Sequence, residues 1–427
     1  MTKNTKTILG WCFYDFANSP FTTIVVTFIY SAYFASGIMS NEAMGQVYWG
    51  NTVTICAIII AFLSPIMGAA ADQGGYRKSF LLFWTWICII FSVLLFFPQK
   101  GDIYTALILF SVANIAFEMG CVFCNAYVSD ISSSNNMGKI SGYGYAFGYL
   151  GGLLALVFGL FTIAMPEQPM FGISLEDGEN YRAMNILVAI WLFIFSLPTF
   201  LWIDKDKRKK NLNFNLIKDS FNQLKNTFRD IKKIKNTFRF LIARLFYNDA
   251  LITIFSFGGI IAKSIYGFEL QKMLIFGILL GIAAGMGAFL MGYIDDYIGP
   301  KKTIQISNIL LIIATIMVVF INDESIFWIA GFMVGFASGP NQSSSRSLMS
   351  KLSPKDKQNE FFGFFAFSGK ITAFLGPFLL AQVTYFSLNQ LKLSDELAQR
   401  AGISVVLILI IIGSATLYFV DEKNKPQ

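Results

Sequence analysis

Nine polar or charged side chains lie inside long apolar stretches of this sequence, where each could contact a polar solute. An ionisable group in an apolar environment needs a partner or water, so such residues are candidates for a binding site. They are Asp15, Asn18, Asn114, Glu118, Asn125, Asp249, Asn341, Gln342 and Lys370. Carboxylates, amides and one ammonium suit a zwitterion. They also suit an organic acid, a sugar, a peptide, an osmolyte or another polar metabolite.

The fourth apolar stretch carries a polar stripe. Asn114, Glu118 and Asn125 fall on one side of a helix, because spacings of four and eleven residues are close to one and three turns. We expect this stripe to face a cavity. The alternative is structural pairing with a neighbouring helix.

Lys370 lies deep in another stretch, where an ammonium needs compensation. It could pair with a carboxylate, bind a carboxylate of a small molecule, or titrate while the protein works. The candidate partners are Glu118, Asp15 and Asp249, and the sequence does not choose among them. Arg244 and Asn248 share a helix face, and one option for Arg244 is to extend its charged end to the inner surface of the membrane.

Two further pairs of polar residues mark helix features. Asp15 and Asn18 are three residues apart and share a face, and the alternative for Asp15 is a helix N-cap. Gly339-Pro340 directly precedes Asn341 and Gln342. This pair predicts a broken helix that exposes backbone groups to a cavity, or alternatively a kink.

The composition indicates a membrane protein. Of 427 residues, 55% are hydrophobic and 14% are charged, whereas soluble proteins carry about 25% charged residues. A membrane crossing needs about 20 apolar residues. Twelve stretches satisfy this length, which predicts an all-α integral membrane fold with 12 transmembrane helices in a lipid bilayer. They are residues 14–38, 47–70, 80–97, 103–128, 140–164, 183–203, 240–261, 272–293, 303–321, 326–349, 361–386 and 403–420.

The charges indicate the orientation. The net charge is +7, and most Lys and Arg, Arg346 among them, fall in loops on the side of the termini. Because cytoplasmic loops are rich in Lys and Arg, we expect both termini in the cytoplasm and no nucleic-acid partner.

The sequence divides into an N-terminal six-helix bundle (1–203), a basic linker (204–239) and a C-terminal six-helix bundle (240–427). The linker predicts an amphipathic helix on the inner membrane surface or, alternatively, a solvated segment.

The residue types exclude several functions. The chain has no histidine, and the pair Cys121 and Cys124 has no second pair, so no metal site is expected. No phosphate-binding loop is present, so we expect no nucleotide cofactor. The sequence therefore predicts neither an enzyme nor an obligate protein partner. Any coupling to protons would use carboxylates such as Glu118 or Asp15.

A short motif occurs once in each half of the chain. Each copy has a glycine, an aspartate four residues later, a second glycine, and two basic residues. Such turns could act as conformational hinges, and the aspartate could cap a helix or pair with a nearby arginine. The residues are Gly68, Asp72, Gly75, Arg77 and Lys78 in the first copy and Gly292, Asp296, Gly299, Lys301 and Lys302 in the second.

This paired motif resembles the loop signature of the major facilitator superfamily. Residues 14–19 (YDFANS), the glycine run at 141–152, and the region 343–377 are similar to its vacuole effluxer branch. The resemblance implies two pseudo-symmetric six-helix bundles that rock about a central cavity. It implies efflux of amino acids or related metabolites, here across a bacterial inner membrane. A carrier for another metabolite class is the alternative, and a channel or a transport-like receptor is a further one.

Overall fold

The chain folds into helices in the computed structural model, which describes residues 3–39, 42–133, 135–206, 214–229 and 235–422. Helices form because a membrane offers no partners to backbone N–H and C=O groups, which a helix satisfies internally. Short π-helical segments at Phe21–Phe28, Phe34–Ile38 and Leu160–Ala164 follow the helices that end at Pro20, Tyr33 and Gly159. The α-helices of the described residues are α1 (Lys3–Pro20), α2 (Tyr30–Tyr33), α3 (Glu42–Gly74), α4 (Arg77–Leu94), α5 (Ile103–Ala126), α6 (Val128–Ile131), α7 (Met137–Gly159), α8 (Glu179–Trp202), α9 (Phe214–Arg229), α10 (Lys235–Ser264), α11 (Leu270–Ile298), α12 (Pro300–Phe320), α13 (Glu324–Leu352), α14 (Gln358–Lys370), α15 (Leu375–Asn389) and α16 (Asp395–Tyr418).

These helices supply twelve membrane crossings. Eleven stretches of the described residues are long and apolar enough to cross a membrane. α13 supplies the other crossing, because its 29 residues are long enough at 1.5 Å per residue, although a polar run lowers its hydropathy. α1 and α2 share the first crossing, and α14 and α15 share the eleventh. The predicted all-α fold with 12 transmembrane helices is confirmed.

The crossings form two halves, α1–α8 and α10–α16, that meet along two seams. α3 packs against α14 at the first seam, and α7 packs against α11 at the second. Each seam pairs the second crossing of one half with the fifth crossing of the other. The pseudo-symmetry that relates the two halves therefore also relates the two seams. Both need glycine. A Cβ on Gly68 would lie 2.2 Å from the carbonyl oxygen of Asn359, and one on Gly142 would lie 2.4 Å from that of Ala288.

The halves converge on the face that carries both ends of the described chain, which we call the terminal face. One buried cluster near this face contains residues of both halves, among them Trp11, Phe123, Tyr247 and Phe361. Farther from it, separate clusters serve each half. In the described residues, the polar contacts between the halves run from the middle of the helices to the terminal face. The structure is therefore closed at the terminal face.

α9 lies on the terminal face across the first seam. Leu224 is buried between Ala69 of α3 and Phe364 of α14. The linker thus contains a helix, and this apolar side chain of the helix faces protein instead of the membrane. Ile231 and the basic residues 207–210, which the linker prediction included, lie outside the described residues.

Polar contacts also join α9 to both halves. Gln223 accepts a hydrogen bond from Nε2 of Gln73 at 2.6 Å. It also donates to the carboxylate of Glu360 on α14. Nζ of Lys357 lies 3.5 Å from Oγ1 of Thr227. α9 therefore bridges the two halves at the terminal face.

Two local predictions are wrong. Asp15 lies well inside α1, so it is not a helix N-cap. Gly339-Pro340 lies inside α13, which continues without a break from Glu324 to Leu352. The interruption occurs instead in the eleventh crossing, at residues 371–374 between α14 and α15.

Candidate functional site

A lysine and a glutamate from opposite halves meet in the interior. Lys370 is the last residue of α14, at the interruption, and its Nζ lies 2.6 Å from Oε1 of Glu118 on α5. The side chains are 30% and 19% exposed, so the pair borders space that water or a solute can reach. Of the three carboxylates expected for Lys370, the structure places Glu118 beside it.

A second ion pair joins the halves nearer the terminal face. Nη1 of Arg346 on α13 lies 2.9 Å from Oδ2 of Asp15 on α1. Nε and Nη2 of the arginine donate to the hydroxyl and the carbonyl of Ser141 on α7. The rings of Trp11 and Tyr145 each lie 4.4 Å from its guanidinium carbon. The interpretation of Arg346 as a loop charge is wrong, because its side chain is only 1% exposed.

The other amides predicted on α1 and α5 lie close to these pairs. Oδ1 of Asn125 accepts a hydrogen bond from Nη1 of Arg346 at 3.0 Å. Nδ2 of Asn18 lies 3.7 Å from Sγ of Cys121 on α5. Asn114 is buried within α5. The polar stripe of α5 thus faces both α1 and the second half, and the binding role of these amides stays a prediction.

The two amides of α13 form hydrogen bonds within the second half. Nδ2 of Asn341 donates to Oδ1 of Asn308 on α12 at 2.7 Å. Nε2 of Gln342 donates to Oδ1 of Asn248 on α10 at 3.0 Å. Asn341 is fully buried and faces α12, whereas Gln342 is directed toward α10 and the interruption.

α10 contacts both ends of the interruption. Nη1 of Arg244 donates to the carbonyl of Phe365 at 2.8 Å and to the hydroxyl of Ser368 at 3.1 Å. The prediction that Arg244 reaches the membrane surface is therefore wrong. Oδ2 of Asp249 accepts from the N–H of Gly376 at 2.7 Å. A cation near the C-terminal end of α14 and an anion at the N-terminal end of α15 both complement the helix dipoles.

The motif aspartates cap helices of the opposite half. Oδ2 of Asp72 accepts from the N–H of Glu360, in the first turn of α14, at 2.8 Å. Asp296 accepts from the N–H groups of Gly138 and Lys139, in the first turn of α7, at 2.7 and 3.1 Å. Each aspartate thus satisfies N–H groups that a helix leaves free at its start. Their action as hinges stays a prediction.

The other motif residues stabilise the same turns. Gly75 and Gly299 have φ angles of 72° and 92°, a region that glycine adopts most readily. Nη2 of Arg77 lies 3.7 Å from Oδ1 of Asp72. Three of the basic residues donate to backbone carbonyls at helix ends, and these are Arg77, Lys78 and Lys301.

No metal centre assembles among the described residues. They contain no group of three or more Cys, Asp or Glu side chains that could hold a metal ion. Cys121 and Cys124 are free thiols. Sequence reasoning missed Arg346 as an interior residue, because the serine run directly before it is typical of loops and turns.

Comparisons with known sequences give a consistent family. The family described as "Vacuole effluxer Atg22 like" matches residues 48–138 and 128–427. The "Uncharacterized MFS-type transporter YxiO" of Bacillus subtilis (strain 168) is 26% identical, over 99% of this chain and 97% of its own length. "Autophagy-related protein 22" of Coccidioides immitis (strain RS) is 20% identical, over 91% of this chain and 74% of its own length.

Solved structures share the fold. The human organic anion transporter MFSD10 (TETRAN) aligns with a TM-score of 0.69 at 14% identity, over 97% of this chain and 98% of that chain. The major facilitator superfamily proton:xylose symporter XylE aligns with a TM-score of 0.68 at 12% identity, over 98% and 95%. These likenesses show the fold, and the proteins named are transporters and not enzymes.

Proposed function

Because this chain belongs to the Atg22-like vacuole effluxer family, we propose that this transporter of the major facilitator type carries amino acids or related small polar metabolites by alternating access. The observation that supports the substrate class is the pair of Glu118 and Lys370 between the halves. A zwitterion offers a carboxylate to Lys370 and an ammonium to Glu118. It can therefore separate the pair without leaving either charge buried and unpaired.

Alternating access requires the contacts at the terminal face to break while the opposite face closes. The two motif loops are the proposed hinges, because Asp72 and Asp296 each hold a helix of the other half. When the seams open at the terminal face, both aspartates must leave those helix ends.

The terminal face is proposed to be the cytoplasmic one. The excess of Lys and Arg in its loops supports that orientation. A bacterial relative that matches nearly the whole chain supports a bacterial cell membrane as the location. The description of the family as effluxers supports export as the direction.

Coupling to protons is part of this proposal. The two carboxylates that the sequence suggests for it, Glu118 and Asp15, already face Lys370 and Arg346. Both ion pairs join the two halves, so the contacts of these carboxylates must change when the halves move.

The test is counterflow in proteoliposomes that contain the purified chain. Vesicles loaded with one amino acid at a time are diluted into a trace of the same radiolabelled compound, and Lys370→Ala is compared with the native chain. We expect saturable exchange by the native chain and its loss in the variant, because the carboxylate of the substrate then has no cation.

Lys263→Ala is the matched control, since Lys263 is exposed on the opposite face and its loss should leave exchange intact. Absence of exchange for every amino acid, from protein that elutes as a single folded species, would contradict the substrate class. Flux that does not saturate would contradict the carrier and indicate a channel.

A further inference from the structure

Asp249 is a buried carboxylate that the ion pairs leave uncompensated. It lies in the middle of α10, and the residue is 1% exposed. Oδ2 accepts one hydrogen bond, from the N–H of Gly376, and Oδ1 has no hydrogen-bond partner. Asp15 and Glu118 each face a cation, whereas no ion pair in the described part of the chain includes Asp249.

The charged groups around Asp249 all have other partners. Arg244 on α10 bonds to α14, Lys370 on α14 pairs with Glu118, and Arg346 on α13 pairs with Asp15. The hydroxyl of Tyr247 on α10 contacts Ser345. α15 and the central part of α16, which pack against α10, carry no charged residue. No described side chain forms an ion pair with Asp249; Arg244, earlier on α10, is also a buried charge without an ion pair, but its guanidinium bonds to α14 and not to Asp249.

The end of α15 compensates this carboxylate only in part. A helix N-terminus acts as about half an elementary positive charge, whereas an ionised carboxylate in a protein interior loses the solvation of a full charge. A small cation beside Oδ1 would supply the remainder. In transporters, unwound backbone between half-helices is a recurring place for Na⁺ or a proton.

The local groups suit such an ion. The interruption at residues 371–374 takes peptide groups out of the regular helical pattern beside the carboxylate. The hydroxyl of Thr253, one turn further along α10, donates to the backbone carbonyl of Asp249 at 2.7 Å, and its oxygen can still act as an acceptor or ligand. A Cβ on Gly376 would lie 2.1 Å from Oγ1 of Thr253 and 3.2 Å from Oδ2 of Asp249. Carboxylate, hydroxyl and carbonyl oxygens are ligands for hard cations.

We propose that Asp249 and the interruption beside it form the binding site of the coupling ion, a single small monovalent cation that is either a proton or Na⁺. The inference rests on the proposed carrier function and names the ion-binding residue of that carrier. In this form of the proposal, Asp249 on α10 binds the coupling ion in place of Glu118 and Asp15, the carboxylates that the sequence suggests. Glu118 and Lys370 then contact the solute.

The first experiment does not need the transported solute. Thermal unfolding of the purified chain is measured in NaCl against choline chloride at fixed pH, and then without Na⁺ between pH 8 and pH 6. If the site binds Na⁺, the Tm should rise with NaCl concentration and then level off. If it binds a proton, the Tm should rise as the pH is lowered. In Asp249→Asn, which keeps an acceptor for the N–H of Gly376 but removes the charge, that response should disappear.

Asp323→Asn is the matched control. Asp323 also caps a helix, α13, but it is exposed on the opposite face, so this variant should keep the native response. If Asp249→Asn does not fold, Asp249→Ser also removes the charge and retains an oxygen acceptor. An equal response in native and charge-free variants, or none in the native chain, would reduce Asp249 to a helix cap and overturn the proposal.

Transport gives the second readout. In proteoliposomes, the charge-free variant should retain counterflow but fail to accumulate solute under the Na⁺ or pH gradient that drives the native chain. If the native chain shows no counterflow, the proposed substrate class is contradicted. The conclusion about Asp249 from thermal unfolding would still stand. Native accumulation by the variant would overturn the ion site alone.

Discussion

The two seams share one device but differ in what surrounds it. At both, a motif aspartate accepts hydrogen bonds from the first turn of a helix in the other half. The first seam also carries α9, which touches both halves through Gln223. The second seam has instead a hydroxyl contact of 2.6 Å between Tyr143 and Tyr293. The duplicated part is thus the helix cap, and the described linker helix α9 adds a contact at the first seam.

The largest expected effect comes from an ion pair that lies between the two seams and belongs to neither of them alone. Arg346→Gln removes the cation that binds Asp15 between the seams. Breaking a buried pair from one side costs about 3–5 kcal/mol, because the other charge stays buried without a partner. We expect a clearly lower Tm in thermal unfolding of the purified chain. The double variant Asp15→Asn with Arg346→Gln should recover part of the loss, and a single variant as stable as the native chain would contradict a structural role for the pair.

A smaller effect compares the two caps directly. Asp72→Asn and Asp296→Asn each remove one negative charge from a helix N-terminus, an interaction of about 0.3–1 kcal/mol. Both should shift the chain away from closure at the terminal face to a similar extent. The measurement is the distance between spin labels at Asn135 and Lys355, which are exposed on the two halves, in a variant without the native cysteines. A shift in one variant only would show that the caps are not equivalent.

The smallest effect concerns the first seam alone. Gln223→Ala removes the side-chain hydrogen bonds that link α9 to α3 and α14. Gln223 is only partly buried, so water can replace part of these contacts, and we expect a net effect below that of a lost helix cap. The same spin-label distance should lengthen slightly in the population average. Asn222→Ala is the control, because the neighbouring Asn222 is exposed. Equal behaviour of both variants would mean that α9 does not stabilise the closed seam.

The crossings and the repeated motif could be predicted from sequence because each depends on local information. Apolar length determines a crossing in lipid, and the motif recurs with the same spacing at Asp72 and Asp296. The partner of Lys370 could not be predicted, because α5 and α14 are brought together only by the packing of the halves. Three carboxylates satisfied the chemistry equally well.

The position of the helix interruption could not be predicted from the sequence pattern either. Gly339-Pro340 and Gly376-Pro377 look alike in sequence. The first pair lies within α13, where Gly339 packs so closely that a Cβ would lie 2.0 Å from the carbonyl oxygen of Ala284. The second lies in the first turn of α15, where proline is tolerated because N–H groups there have no helical partner. Tertiary packing therefore decides which pair follows a break.

The linker helix α9 is part of the same chain as both halves, so its docking is an intramolecular event. Its effective concentration at the seam is set by the connecting segments and not by the amount of protein in the membrane. A few weak contacts, such as those of Gln223 and Leu224, are then enough to return it to the seam after each opening. A free peptide with the same sequence would have to bind far more tightly to produce the same occupancy.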